Sequence, residues 1–112
     1  MIRALFICGK NQLRSPTAEQ IFANHAHTET DSAGVSNDAE VVVSAEQIEW
    51  ADVIFVMEAA HRRKLTQKYP RIVHKKRIIC LDIPDHYQYM QAELIEQLKR
   101  KVTPHLSHSS HS

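Results

Sequence analysis

Three short and almost unbroken apolar runs, each followed by a segment of different character, constrain this chain more than any other feature. They are Ile2 to Ile7, Val53-Ile54-Phe55-Val56 and Ile78-Ile79-Cys80-Leu81. Continuous apolar runs of this length are typical of parallel strands covered on both faces. Thr28 to Val35, closed by Ser32-Ala33-Gly34, is a further strand candidate. Helical patterns lie between the runs. Pro16 suits a first helical turn, and Ala18, Ile21, Phe22 and Ala26 then recur at helical spacing. Ser44-Ala45-Glu46-Gln47 has the form of a capping box ahead of Ile48 and Trp50, with Trp50 expected in the core. Ala59 to Tyr69 is helix-compatible up to Pro70, and an amphipathic helix is expected from about Met90 to Val102 with Leu94, Ile95 and Leu98 inward.

Strands alternating with helices imply βαβ units around a four-stranded parallel sheet with helices on both faces. Ligands of such sheets sit outside the carboxyl ends of the strands. A chain of 112 residues has room for one such core, expected over residues 1–103, and the polar stretch 104–112 is expected to be a disordered tail. Its histidines, His105, His108 and His111, are read as part of that tail rather than as a metal site. The net charge of +1 builds in no general attraction to nucleic acid or membrane. No apolar stretch is long enough to span a bilayer, and the first run leads into a motif rather than a cleavage site, so a cytoplasmic protein is expected. Two cysteines, Cys8 and Cys80, make no disulfide framework and lack metal-ligand spacing. Cys80 is expected to be a packed apolar thiol.

Between the first strand and the first helix lies Cys8-Gly9-Lys10-Asn11-Gln12-Leu13-Arg14-Ser15-Pro16. Five intervening residues let the backbone curl so that its N–H groups and the helix N-terminus face one tetrahedral anion. Arg14 adds a planar, two-pronged grip, which makes Gly9, Lys10, Asn11, Gln12, Leu13, Arg14 and Ser15 a phosphate cradle. Cys8 at its base feels the same positive field, which favours a thiolate aimed at the bound phosphorus. Ser15 is placed to donate a hydrogen bond to that sulfur, and Asn11 tolerates a positive φ and can tie the loop through its side chain. Displacing an oxygen leaving group also needs a proton donor on the opposite side. The loop after the last strand offers Asp82 and Asp85, which flank Pro84, and the residues alone leave both open.

Several segments in this order resemble the low-molecular-weight protein tyrosine phosphatase family. These are the Cys8–Pro16 loop, Asp31-Ser32-Ala33-Gly34, Ala51-Asp52-Val53-Ile54-Phe55-Val56-Met57 and Ile83-Pro84-Asp85-His86-Tyr87. The resemblance reaches from about Ile2 to Leu98 and implies a three-layer, flavodoxin-like α/β fold. It also implies a cofactor-free, metal-independent phosphomonoesterase acting through a cysteinyl phosphate. Cys8 would be the nucleophile, Arg14 the phosphate and transition-state clamp, and Asp85 rather than Asp82 the general acid. Tyr87 and Tyr89 resemble aromatic residues that frame an aryl phosphate, and His61 starts near the third strand's end, where it would line the pocket. The partner is then a phosphorylated substrate, either a phosphotyrosine protein or a small phosphate ester.

The chain departs from the family pattern at Lys10, usually glycine, Leu13, usually cysteine, and His86, usually proline. Without a cysteine at position 13 an oxidised Cys8 lacks a neighbouring disulfide partner. The segment between Gly34 and Asp52 is short for the family, which would remove part of the wall that selects substrates. The stretch His61 to Arg77 holds Arg62, Arg63, Lys64, Lys68, Arg71, Lys75, Lys76 and Arg77 with no acidic residue. It is read first as a solvated basic face and second as a surface for an RNA end or nucleotide, which would make this an RNA-terminal or nucleotide phosphatase. A phosphate-binding module without turnover is the non-enzymatic alternative.

Overall fold

The structure is a computed structural model that describes residues 1–106. Four strands, β1 (Ile2–Cys8), β2 (Thr28–Gly34), β3 (Val53–Val56) and β4 (Arg77–Cys80), form one parallel sheet in the order β2-β1-β3-β4. Among the described residues five helices accompany it: α1 (Arg14–Phe22), α2 (Ala45–Trp50), α3 (Ala59–Lys68), α4 (Pro70–His74) and α5 (Ala92–Leu106). The expected α/β architecture is therefore present, with β1 and β3 central and β2 and β4 at the edges.

The pleat of β1 sorts its side chains into two cores. Ala4, Phe6 and Cys8 point to one side and pack with Phe22, Phe55, Met57, Leu94, Leu98 and Val102, the face covered by α1 and α5. Leu5 and Ile7 point to the other and pack with Ile48, Ile54, Val56, Leu65 and Val73 beneath α2, α3 and α4. Phe6 stacks between Phe22 and Phe55, with ring centroids 5.9 and 5.3 Å away. Each such side chain contributes roughly 1.5–3 kcal/mol by leaving water. Trp50 lies partly buried against the second core.

Pro70 does not simply end a helix. It closes α3 at Lys68 and opens the short helix α4 at its first position, where a missing N–H costs nothing. Strand β4 is half-buried rather than fully covered, because it is an edge strand. Helix α5 starts after Met90, whose φ of 60° breaks any helix there, and it continues through Pro104 to Leu106. The fourfold spacing of Leu94, Leu98, Val102 and Leu106 keeps one stripe in the core, so residues 104–106 belong to the packed body rather than to the expected tail. His108 and His111 of that tail lie outside the described residues. No helix among the described residues is long and apolar enough to cross a membrane.

The sheet register brings the carboxyl ends of all four strands together. Cys8 pairs with Gly34, Ile7 with Val56, and Val56 with Cys80. The segments that follow the four strands therefore leave the sheet at the same end, where open parallel sheets bind ligands.

Candidate active site

The turn from β1 into α1 curls around the Cys8 sulfur. The Asn11 N–H donates to Sγ at 3.2 Å, and the Ser15 hydroxyl lies 2.9 Å from the same atom. Asn11 makes the curl possible by taking φ 57°, a left-handed conformation that asparagine tolerates. Its buried side-chain amide donates to Ser15 Oγ and to Ser32 Oγ, each at 3.0 Å. The Ser15 oxygen thus receives one hydrogen bond and keeps its own proton for an acceptor, and the sulfur is the nearer of its two acceptors, the Ala33 carbonyl lying at 3.5 Å. Ser32 in turn donates to Glu19. Cys8 itself is buried at 3% exposure.

Backbone contacts fix the loop from the β2 side. Ser36 N donates to Gly9 O at 2.9 Å, and Glu40 N donates to Lys10 O at 3.0 Å. Gly34 sits beneath this junction. A Cβ there would lie 2.5 Å from Gly9 O, 2.6 Å from the Ala39 Cβ and 3.0 Å from Asn11 N, so only glycine lets the two loops meet. The Lys10 ammonium pairs with Asp38 at 3.3 Å on the exposed rim.

Arg14, 4% exposed, turns its guanidinium inward from the first turn of α1. One terminal nitrogen donates to Ile83 O at 2.8 Å and to the Glu58 carboxylate, and Nε lies 3.7 Å from Asp85 Oδ1. The hydrogen bond from Arg14 holds the Glu58 carboxyl below the usual glutamate range, against the opposing effect of burial. Glu58 caps α3 in a reciprocal box with His61, whose Nδ1 accepts from the Glu58 N–H at 3.1 Å. Burial, then the Arg14 charge, push His61 down to about 4. It is therefore neutral near pH 7, and with Nδ1 accepting, its proton belongs on Nε2.

A cleft of about 150 Å³ opens over the sulfur, lined by Cys8, Gly9, Lys10, Gln12, Leu13, Arg14 and Asp85. The structure thus brings together seven of the residues picked out in the sequence, while Asn11 and Ser15 stand behind them. Asp82 is not among them. With φ 54° it is exposed and accepts the Cys80 thiol at 3.4 Å. His61 is buried behind Gly9 rather than in the wall of the cleft, its Nε2 lying 3.8 Å from where a Gly9 side chain would begin. Tyr87 packs on the core and takes a hydrogen bond from Gln97, so it too stands outside the cleft. Tyr89 is half-exposed and lines an adjoining groove that shares Gln12 with the cleft. Cys80 is half-buried, and burial raises its thiol above the ordinary range.

Two site residues escaped the sequence reading. Ser32 steadies Asn11, and Glu58 holds Arg14. A signal existed for both: one lies near the carboxyl end of β2 and the other follows β3, the edge at which parallel sheets build sites. The basic stretch is partly absorbed by the fold. Lys76 donates to the carbonyls of Glu49 and Ala51 at 2.9 and 2.8 Å, closing the end of α2, and Lys68 donates to Val35 O at 3.3 Å.

Solved structures with the same fold include phosphatases of two substrate descriptions. The low molecular weight phosphotyrosine phosphatase of Vibrio cholerae O395 superposes with a TM-score of 0.75 at 19% identity, covering 97% of this chain and 99% of that one. The YwlE arginine phosphatase of Geobacillus stearothermophilus gives 0.67 at 23% identity over 96% and 97%. A YwlE arginine phosphatase mutant with serine in place of cysteine, whose active-site serine is phosphorylated, gives 0.71 at 21% over 96% and 97%. No curated protein sequence matches the chain. Residues 3–50, which carry β1, the Cys8 loop, α1 and β2, match the family of low molecular weight phosphotyrosine protein phosphatases, and the chain has the fold of that family's solved members.

Proposed function

We propose that this protein is a cysteine-dependent phosphatase that hydrolyses a phosphoryl group carried on a protein side chain, with Cys8 as nucleophile. The observation that carries the reading is the convergence of Cys8, Arg14 and Asp85 on one small cleft. In the first step the Cys8 sulfur attacks phosphorus, the S–P bond forms, and the bond from phosphorus to the leaving atom breaks as Asp85 supplies its proton. In the second, Asp85 takes a proton from water, the water oxygen attacks phosphorus, the S–P bond breaks, and Ser15 donates to the departing sulfur. Arg14 and the loop N–H groups hold the phosphoryl oxygens throughout. Glu58 acts through Arg14, holding one terminal nitrogen so that the rest of the guanidinium is left for the phosphoryl group.

The family match at residues 3–50 and the phosphorylated serine in the YwlE mutant support this reading. Relatives in fold are described as acting on phosphotyrosine or on phosphoarginine-type substrates, so an aryl phosphate and a phosphoguanidine are the two groups to compare. A working Cys8 must stay reduced, and the reading places the enzyme in the cytoplasm.

The test is Cys8→Ser. A neutral hydroxyl lacks the thiolate's nucleophilicity, whereas Arg14 and the loop amides remain. Hydrolysis of nitrophenyl phosphate should fall at least about a hundredfold while inorganic phosphate still binds. A variant that keeps more than about a tenth of the rate would remove Cys8 from the chemistry.

A further inference from the structure

Beside the Cys8 cleft lies a larger groove of about 640 Å³, and the two meet at Gln12. Their linings differ. The cleft carries Lys10 and Arg14, paired with Asp38, Glu58 and Asp85, whereas the groove is lined by Glu19, Asp31 and Glu40 with no lysine or arginine. None of these three carboxylates has an ion-pair partner among the described residues. Glu19 and Asp31 are held only by neutral donors, the Ser32 hydroxyl and N–H and the Gln47 amide, so their charge is not cancelled. The groove also has apolar walls. Val41 and Tyr89 are 47% and 50% exposed, unusual for residues of their type, and both face it. Val41 is fixed there because its carbonyl accepts the Gly34 N–H at 2.8 Å. The segment after β2 thus supplies one wall of the groove through Glu40 and Val41.

We infer that this groove binds the stretch of polypeptide next to the phosphorylated residue, and that it selects protein substrates with a lysine or arginine flanking that residue. The inference rests on the phosphatase reading above. A segment whose phosphoryl group enters the cleft over Cys8 and Arg14 carries its neighbours across Gln12 onto the anionic groove. A basic side chain there meets uncancelled carboxylates while its aliphatic stem lies along Val41 and Tyr89. An acidic neighbour is repelled by the same groups, which makes the groove a filter as well as a dock.

Glu40 is the residue to change, because its exposed side chain takes no part in the Asn11–Ser15–Ser32 network. Two fluorescein-labelled phosphotyrosine peptides, one with arginine and one with glutamate on both sides of the phosphotyrosine, are titrated against the Cys8→Ser protein at low ionic strength. The arginine peptide should bind about tenfold more tightly, and Glu40→Lys in the same background should remove most of that preference. Equal affinities, no binding of either peptide, or a preference that survives Glu40→Lys would overturn the inference. Nitrophenyl phosphate, which reaches only the cleft, separates the two claims. Its hydrolysis by an otherwise wild-type Glu40→Lys enzyme should be unchanged. If nitrophenyl phosphate is hydrolysed but the peptides are not distinguished, the groove assignment alone fails. If the peptides are distinguished but nothing is hydrolysed, the phosphatase reading fails and the groove stands.

Discussion

Asp82 and Asp85 belong to one short loop, yet only one of them reaches the cleft. Asp85 lines the cleft with an oxygen 3.7 Å from Arg14 Nε, whereas Asp82 turns to the Cys80 thiol. If Asp85 is the general acid, Asp85→Asn should cost little with nitrophenyl phosphate, whose leaving group needs no proton, provided phosphoenzyme formation limits the rate. With an alkyl phosphate it should cost about 10²–10⁴-fold. Asp82→Asn should leave the ratio of the two rates unchanged. Rates on both substrates for both variants check this, and the opposite pattern would reverse the assignment. The sequence pointed to Cys8, Arg14 and the two aspartates because each residue type is tied to a chemical task. It did not reveal Glu58, because a carboxylate ahead of a helix reads first as a cap, and Glu58 is one. Only the fold shows that the same carboxylate also reaches Arg14 from 44 positions away in the chain.

The elements matter through how closely two loops approach. The turn after β1 and the segment after β2 touch over Gly34, where an added methyl group would meet Gly9 O at 2.5 Å and Asn11 N at 3.0 Å. Both contacts are backbone and cannot swing aside. Gly34→Ala should therefore displace the Cys8 loop, lower stability by about 1–3 kcal/mol and weaken inhibition by inorganic phosphate. Thermal melting and phosphate inhibition measured together check it, and a variant with unchanged phosphate affinity would show that the loop adapts. The alternation of strands and helices was legible because apolar runs and helical periodicity differ in period. Element ends were less so. Pro70 reads as a stop and is in fact the start of α4, and α5 runs on through Pro104 past its expected end near Val102. Proline forbids a hydrogen bond but does not say on which side of it the helix lies.

At the scale of the whole molecule, the buried His61 couples folding to pH. Its ring is neutral in the fold down to about pH 4, and it faces Arg14, Glu58, Lys64 and Asp85. In the unfolded chain it binds a proton near pH 6.5. Between these values the unfolded state holds the extra proton, so stability falls as pH drops from about 6.5 towards 4, by at most about 3 kcal/mol. His61→Asn, which can still accept from the Glu58 N–H, should flatten that part of a plot of melting temperature against pH. An equal slope in the variant would assign the coupling to other groups. A phosphatase of this kind must form a transient bond between the Cys8 sulfur and phosphorus. The most direct measurement is rapid acid quench of the wild-type protein during turnover of nitrophenyl phosphate, followed by mass analysis of the peptide containing Cys8. This peptide should gain the mass of one phosphoryl group within the first turnover, and the corresponding peptide of a Cys8→Ala control, which has no nucleophilic atom there, should show no change. Steady hydrolysis with an unmodified Cys8 peptide at every quench time would contradict the proposed bond.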